Sequence, residues 1–122
     1  GADTVVVLDD VVFGKPLDRA EAVGMLTKLA GRTHTVLTGV VVRRASTVFK
    51  GVESTEVTFV ELTRARIDWY VSRGESDDKA GAYAAQGVGS RLIERINGSY
   101  TNVVGLPMAM VDRFVRKFER NL

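Results

Sequence analysis

The sequence predicts an α/β fold with a mixed, partly antiparallel sheet and helices packed against it. Residues 4–8 form a continuous β-branched run, which is typical of a strand buried on both faces. Residues 55–61 alternate between polar and apolar types, as half-buried strands do. Residues 22–29 instead repeat their apolar side chains at helical spacing. Because strands and helices follow one another along 122 residues, they should pack as layers around one core.

The first third of the chain predicts two strands and a helix. Asp9 and Asp10 turn the chain after the first strand, and residues 11–13 give a short second strand. Asp18 is expected to cap the helix, because a glutamate follows at capping-box spacing. Gly31 is expected to end the helix in the left-handed conformation. The apolar stripe of this helix is Ala22, Met25, Leu26 and Leu29.

The middle third predicts three strands and a second helix. Residues 33–43 predict a long strand, residues 46–52 its hairpin partner, and residues 55–61 a further strand. Gly39 indicates a bulge or a close packing contact in the long strand. Thr63 is expected to cap the helix that follows. The apolar stripe and closing glycine of that helix are Ile67, Tyr70, Val71 and Gly74.

The last third predicts a hairpin and a final helix. Asn97-Gly98 is the strongest hairpin signal in the chain and should join strands over residues 91–96 and 99–104. Pro107 fits the first turn of the final helix. Val111, Phe114, Val115 and Phe118 form its apolar stripe, with Arg113, Arg116, Lys117 and Arg120 facing water.

The composition of the chain excludes several classes of function. The formal charge of +2 permits anionic small-molecule partners without demanding nucleic acid, since the basic residues are interleaved with acidic ones. The absence of cysteine excludes disulfides, thiolate zinc sites and cysteine nucleophiles. No stretch reaches transmembrane length and there is no signal peptide, so a soluble cytoplasmic protein is expected. Because the chain enters an apolar run directly after Gly1, we expect a segment upstream to be absent.

Several familiar active sites find no support. There is no Walker sequence, and Gly87-Val88-Gly89 lacks the third glycine of a dinucleotide fingerprint. His34 is the single histidine, so it has no second imidazole with which to share a metal, and packing or hydrogen bonding is favoured over catalysis. Ser90 and Ser99 show no His–Asp partnership, which disfavours a serine hydrolase.

The polar residues at the ends of the predicted elements carry the chemistry instead. Residues 78–87 hold an acid, a base, an amide and a phenol between two helix-breaking glycines, as functional loops do. Asp3 at a strand end could hold a divalent cation or activate water. Lys15 and Lys79 on separate loops could clamp phosphate oxygens. The candidate set is Asp3, Thr4, Lys15, Lys79, Tyr83 and Gln86, which favours metal-assisted phosphoanhydride chemistry over other reaction classes.

The same residues carry a resemblance to a known family. The blocks are Gly1-Ala2-Asp3-Thr4-Val5-Val6, Gly14-Lys15-Pro16, Leu29-Ala30-Gly31 with His34 and Thr38-Gly39, Asp78-Lys79-Ala80-Gly81-Ala82-Tyr83 with Gln86-Gly87, and Asn97-Gly98-Ser99-Tyr100 with Val103-Val104-Gly105-Leu106-Pro107. In their order and spacing they resemble the Maf family of nucleoside triphosphate pyrophosphatases, which were first linked to inhibition of septum formation. The resemblance spans essentially the whole chain.

The resemblance implies a fold, an activity and site residues. It implies an elongated α/β fold related to inosine triphosphatase, with a cleft between two lobes. It also implies hydrolysis of a nucleoside triphosphate to the monophosphate and pyrophosphate, with Mg²⁺ or Mn²⁺, usually in a homodimer. Asp3 matches the family's catalytic carboxylate near the metal, and Lys15 its phosphate-binding lysine. Thr4 and Gln86 match positions tied to base choice and resemble the branch that acts on dTTP and UTP.

One departure and two rival functions accompany this interpretation. The family's N-terminal strand, its Ser-x-Ser-Pro-Arg-Arg loop and the glutamate that follows have no counterpart here. We therefore expect residues 1–122 to be a single Maf-like domain without its N-terminal portion. The first rival is a non-catalytic, nucleotide-binding regulator of cell division. The second is a basic nucleic-acid-binding module, which is disfavoured because aromatic residues are not interleaved with the basic ones.

Overall fold

A computed structural model describes residues 1–119 of the chain. These residues form five strands and four α-helices, joined by two short 3-10 segments at Ala80–Ala82 and Gly87–Leu92. The strands are β1 (Ala2–Leu8), β2 (Val11–Phe13), β3 (Thr33–Arg44), β4 (Thr47–Phe59) and β5 (Ile93–Asn97). The helices are α1 (Arg19–Leu29), α2 (Arg64–Ser72), α3 (Tyr100–Val104) and α4 (Met108–Phe118). No helix within this part of the chain has the length and apolarity needed to cross a membrane.

The strands form one sheet in the order β2-β1-β3-β4-β5. The predicted α/β class is confirmed, but every pairing among these strands is antiparallel, so the sheet is not mixed. The connections explain the difference. Two-residue links join β1 to β2 and β3 to β4, and only antiparallel neighbours can be joined by so short a link. Asp9 and Asp10 both take positive φ in the first of these turns.

The predicted division of the middle region into two separate strands is wrong. β4 runs unbroken from Thr47 to Phe59 and pairs with β3 along its whole length. Glu53 and Ser54, which separate the predicted strands, stand opposite Thr38 and Leu37 in the ladder. Polar residues at this point therefore mark an exposed part of one long strand instead of a turn.

The predicted close contact at Gly39 is also wrong, and the contact belongs to Gly51. A Cβ added at Gly39 would meet nothing within 4 Å, whereas one at Gly51 would lie 3.2 Å from Met110 Sδ and 3.3 Å from Phe114 Cζ. Gly51 therefore lets α4 approach the far half of the long hairpin. The Phe114 ring stacks on Phe49 with centroids 5.9 Å apart, and the Phe118 ring is tilted against Phe49 with centroids 4.9 Å apart. These contacts pack α4 against the hairpin.

The core lies on one face of the sheet. Val6 and Leu8 of β1 are buried, but Val5 and Val7 are only partly covered, so β1 is not buried on both faces as its composition predicted. The buried strand residues pack against the predicted stripes of α1 and α2, which are confirmed. Asp18 and Thr63 also cap these helices, accepting from the backbone N–H of Glu21 and Arg66.

The predicted hairpin at Asn97-Gly98 is wrong, because the chain enters a helix there. Ser99 caps α3 by accepting from the backbone N–H of Asn102 at 3.1 Å. The Asn102 side chain is buried, and its Nδ2 donates to Thr55 Oγ1 and to two strand carbonyls. This three-way contact fastens α3 to β3 and β4, and it outweighs the local preference of Asn-Gly for a turn.

The predicted final helix is confirmed as α4, with Pro107 one residue before its first turn as the N-cap. The predicted stripe is only partly covered, and Met110 is the buried residue of this helix. Arg113, Arg116 and Lys117 are exposed as predicted, while Arg120 lies outside the described residues.

Candidate active site

A cleft of about 220 Å³ lies beside the first half of β1. Strand β2 pairs only with residues 6–8 of β1, so within residues 1–119 the remaining edge of residues 2–5 has no strand partner on that side. The residues that line the cleft come from β1, from the loops before α1 and after α2, and from the end of α3. They are Ala2, Asp3, Thr4, Val6, Lys15, Val36, Asp78, Lys79, Ala80, Tyr83, Val103, Val104 and Gly105.

Five of the six candidate residues line this one cleft: Asp3, Thr4, Lys15, Lys79 and Tyr83. Asp3 is exposed, and its carboxylate has no hydrogen-bond or ion-pair partner in the described part of the chain. Both carboxylate oxygens are therefore free to accept a proton or to ligate a cation. Thr4 is more constrained, because its Oγ1 lies 2.8 Å from Thr38 Oγ1 and donates to the Gly105 carbonyl at 3.4 Å.

A backbone hydrogen bond joins the two loops that carry the lysines. The Gly81 N–H donates to the Gly14 carbonyl at 3.1 Å. Gly81 has φ of 70°, and a Cβ there would lie 2.8 Å from Val6 Cγ2, so only glycine lets this loop lie so close to β1. The Gly-Lys-Pro loop and the 78–87 loop are thereby held together above the strand that carries Asp3.

The two lysines are available to an anion. Lys79 Nζ donates to Asp78 Oδ1 at 3.2 Å, but both side chains are well exposed, at 45% and 75%. Exposed pairs of this kind contribute at most about 1 kcal/mol, so a phosphate oxygen can replace the aspartate. Lys15 is exposed and has no ion pair among residues 1–119. Pro16 after it is buried, which fixes the backbone beneath the lysine.

His34 and Tyr83 form a buried pair, in which Tyr83 lines the cleft and His34 lies behind it. His34 Nε2 lies 2.7 Å from Tyr83 Oη, and burial lowers the pKa of His34 to about 4. Burial also raises the pKa of Tyr83 well above its ordinary value. Both side chains are therefore uncharged at neutral pH. As expected from the sequence, His34 packs and hydrogen-bonds, and it does not line the cleft.

Gln86 lies outside this cleft, in a hollow that adjoins it. Lys79, Tyr83, Val103 and Val104 line both the cleft and a smaller hollow of about 50 Å³ that includes Gln86. A larger hollow of about 400 Å³ continues from Gln86. Its lining is mostly apolar, and comprises Gln86, Tyr100, Thr101, Val104, Gly105, Leu106 and Met108. The charged cleft therefore leads past an exposed amide into an apolar surface.

Glu75 holds the Gln86 segment in place. Its Oε1 accepts from Tyr70 Oη at 2.8 Å and from the Gly89 N–H at 2.7 Å, and its Oε2 accepts from the Val88 N–H at 3.2 Å. Tyr70 Oη in turn accepts from the Ala84 N–H at 3.0 Å. This network, which we call the Glu75 anchor, fixes the backbone on both sides of Gln86.

Local spacing does not predict the residues that support the site, although Thr38 belongs to one of the blocks that carry the family resemblance. Thr38, Glu75 and Asn102 each act through partners far along the chain, 34 residues away from Thr38 and 14 from Glu75. Asn102 reaches the Val36 carbonyl, which is 66 residues away. No local spacing encodes such contacts. Asp78 also lines the cleft, and unlike these residues it lies beside Lys79 in the 78–87 loop that the sequence indicated as functional.

Comparison with known proteins identifies the family. A family model described as Maf-like protein matches residues 1–118. The chain belongs to the Maf family. A Symbiobacterium thermophilum protein named dTTP/UTP pyrophosphatase is 51% identical over 118 residues, which are 97% of this chain and 61% of that protein. A Maf-family relative of the same name from Anaeromyxobacter dehalogenans is 50% identical over 121 residues, covering 95% of this chain and 62% of its own.

A third relative of the same name, from Bacillus pumilus, is 48% identical over 118 residues, covering 97% of this chain and 62% of that protein. The chain thus spans about six-tenths of the length of these Maf-family relatives. The match to the family model covers the charged cleft, both lysine loops and the Gln86 segment, which all lie within residues 1–118.

Proposed function

We propose that the protein is a nucleoside triphosphate pyrophosphatase that hydrolyses dTTP and UTP to the monophosphate and pyrophosphate. One observation carries the proposal: the unpaired carboxylate of Asp3 shares a cleft with Lys15 and Lys79, which come from separate loops. A general base in the same cleft as two cations suits attack of water on an anionic phosphorus. The names of the Maf-family relatives support the same reaction and substrates.

In the proposed reaction Asp3 acts as the general base, and Lys15 and Lys79 bind the phosphates. The Asp3 carboxylate accepts a proton from water as the water oxygen forms a bond to the α-phosphorus. The bond between the α-phosphorus and the oxygen that bridges to the β-phosphorus breaks, and pyrophosphate leaves. Lys15 and Lys79 hold the phosphate oxygens and offset the charge that develops on them.

The base end of the nucleotide is proposed to lie beyond the lysines. Gln86 is exposed between the charged cleft and the apolar hollow. Uracil and thymine present two carbonyl groups and one N–H, and an amide can donate to one and accept from the other. Thr4 lines the cleft through a hydroxyl that bonds to Thr38 and Gly105, so its proposed contribution to base choice is to fix the cleft's shape.

The donor set of the cleft fits a divalent cation. Within residues 1–119 no three acidic or imidazole groups gather as a metal cage. Mg²⁺ commonly binds through one or two carboxylates and completes its shell with water and substrate phosphates. Asp3 would be the main protein ligand, and Asp78 lines the same cleft. The bound cation, Mg²⁺ or Mn²⁺, would supply positive charge at the phosphate oxygens.

Two other parts of the proposal have separate grounds. Assembly as a homodimer follows from the family resemblance, and action in the cytoplasm follows from the sequence prediction. Analytical ultracentrifugation of the purified chain measures the first, and imaging of a fluorescent fusion in living cells measures the second.

Pyrophosphate release is the decisive measurement. UTP, dTTP, ATP and 7-methyl-GTP are supplied at equal concentration with Mg²⁺. The assay uses this chain and a chimera that adds the part of the Symbiobacterium thermophilum relative outside the alignment. We expect release from UTP and dTTP first, and Asp3→Asn should lower turnover on the order of a hundredfold or more. Asp112→Asn changes an exposed carboxylate of α4 and should leave turnover unchanged.

Two results would overturn the proposal. One is nucleotide binding without pyrophosphate release from either protein, which favours the non-catalytic regulator. The other is turnover by Asp3→Asn within a few-fold of the parent, which removes the carboxylate from the reaction.

A further inference from the structure

Three arginines surround the single tryptophan of the chain. Trp69 lies on α2, and the guanidinium Cζ atoms of Arg66, Arg73 and Arg91 lie 5.6, 5.5 and 5.0 Å from its ring centroid. Arg66 is one turn before Trp69, and Arg73 caps the end of the helix. Arg91 comes from the 3-10 segment Gly87–Leu92. Basic residues therefore surround an aromatic ring at this place, contrary to the prediction from the sequence.

This group, which we call the Trp69 cluster, lacks the acidic partners that three other arginines have. Arg19, Arg32 and Arg64 each pair with an aspartate. None of the three cluster arginines has an ion pair within residues 1–119. The indole attracts each guanidinium weakly, but the three like charges still repel one another. The cluster therefore leaves a concentrated positive charge at the surface.

The ordinary structural role of arginine does not account for the whole cluster. An arginine stem often covers an exposed apolar ring. Two arginine side chains can cover the two faces of an indole ring, whereas three arginines lie close to this one. Arg66, Trp69 and Arg91 also line a hollow of about 250 Å³ that remains open to solvent. Space, charge and an aromatic surface thus occur together.

We propose that the Trp69 cluster is a second anion site, which binds a phosphate group through Arg66 and Arg91 in this hollow, while Arg73 adds positive charge beside the ring. The guanidinium fork matches phosphate oxygens in two-point hydrogen bonds, and the indole offers a surface for an attached base. No residue of the cluster lines the cleft that contains Asp3. The site therefore does not depend on the proposed catalytic function.

Fluorescence of Trp69 tests the proposal directly, because no other tryptophan contributes. Three probes are titrated at low ionic strength: inorganic pyrophosphate, UTP without metal, and a single-stranded ten-nucleotide oligothymidylate. We expect a saturable change in emission that weakens as salt is added. The Arg66→Gln, Arg91→Gln double variant should bind at least tenfold more weakly. The matched control, Arg43→Gln with Arg113→Gln, changes two exposed arginines elsewhere and should bind as the parent does.

Lys15→Ala separates this site from the cleft. The tryptophan response should persist in Lys15→Ala and be lost in the double arginine variant. Tighter binding of the oligothymidylate than of pyrophosphate would assign the ligand as a phosphodiester chain, and the reverse as a free phosphate compound. Circular dichroism checks that each variant folds, and Arg91→Lys, which keeps the charge but loses the fork, should give an intermediate affinity.

Phosphorus NMR covers the case of binding without an optical change. The pyrophosphate resonance should broaden with Lys15→Ala, and should sharpen when Arg66→Gln and Arg91→Gln are added to Lys15→Ala. The proposal is overturned if neither measurement shows binding that depends on the arginines. It is also overturned if Lys15→Ala alone abolishes the tryptophan response, because the ligand is then in the cleft.

Discussion

At the scale of single residues, the proposed chemistry of the cleft depends on charged side chains that make few contacts with the rest of the protein. Asp3 and Lys15 make no polar contact with other side chains among residues 1–119, so their charges are open to a ligand. The residues around them differ, because Thr4, Tyr83 and Asn102 are all committed to hydrogen bonds within the protein. Substitution of the first kind should therefore change kinetics, and substitution of the second kind should change stability.

Lys15→Ala tests the first kind. Loss of this cation should lower kcat/KM for UTP on the order of a hundredfold, because phosphate charge in the transition state is less well offset. Lys15→Arg should restore part of the rate, since the charge returns with a different geometry. Lys50→Ala removes an exposed lysine of β4 and should have no effect. Steady-state kinetics that leave Lys15→Ala equal to the Lys50→Ala control would contradict the assignment.

Gln86→Glu tests the choice of base. The exposed amide lies between the charged cleft and the apolar hollow, where it can pair with a neutral pyrimidine edge. A carboxylate cannot donate a hydrogen bond and should favour a cationic base such as 7-methylguanine. We expect the ratio of kcat/KM for UTP over 7-methyl-GTP to fall by at least tenfold. An unchanged ratio, measured beside Ser90→Ala as control, would remove Gln86 from base selection.

At the scale of elements, the sequence predicted those features that depend on local spacing. The caps at Asp18 and Thr63, the core stripes of α1 and α2, and the short strand β2 are all as predicted. The hairpin at Asn97-Gly98 failed because Ser99 and Asn102 commit the chain to α3 through contacts with β3 and β4. Those partners are distant in sequence, so turn propensity alone could not anticipate them.

The candidate site shows the same division. The motif spacing predicted five residues that meet in one cleft, because each lies at the end of a strand or in a glycine-bearing loop. It did not place Gln86 in a separate hollow, since that depends on the Glu75 anchor. The fold of the 84–89 segment is set by hydrogen bonds from Glu75 and Tyr70, which lie on α2 or just after it.

Glu75→Gln tests the anchor. The variant keeps the shape of the side chain. In the parent, the backbone N–H groups of Val88 and Gly89 donate to the carboxylate, whereas in the variant one of them would face the N–H of the new amide. We expect the free energy of unfolding to fall by about 1–3 kcal/mol, as for a buried donor left unsatisfied. Urea denaturation measures this change, with Glu94→Gln on β5 as an exposed control. Equal stability of the two variants would show that the anchor contributes nothing.

At the scale of the whole molecule, the buried histidine makes folding depend on pH. Burial lowers the pKa of His34 from its ordinary 6.5 to about 4. Its Nδ1 has no hydrogen-bond partner among the described residues, so a proton added there would leave an unsatisfied N–H. Between pH 6.5 and pH 4 the unfolded chain therefore binds a proton that the folded chain does not. Stability is complete above pH 6.5 and declines as pH falls toward 4.

The size of this decline is measurable. A shift from 6.5 to about 4 corresponds to at most about 3 kcal/mol across the window. We expect the free energy of unfolding, measured by urea denaturation at intervals from pH 7 to pH 4, to follow this slope. His34→Gln should flatten the part of the curve between pH 6.5 and pH 5, because the chain has no other histidine. An identical slope in the variant would assign the decline to carboxylates.

The hydrogen bond from the Gly81 N–H to the Gly14 carbonyl gives the cleft a built-in reporter. It joins the backbone of the Lys15 loop to the backbone of the Lys79 loop, so the two loops separate only when this bond opens. Opening exposes the Gly81 amide to solvent deuterium, and its exchange rate then measures how often the two loops part. A triphosphate that bridges both lysines should slow that exchange, even in an Asp3→Asn protein that cannot turn the nucleotide over.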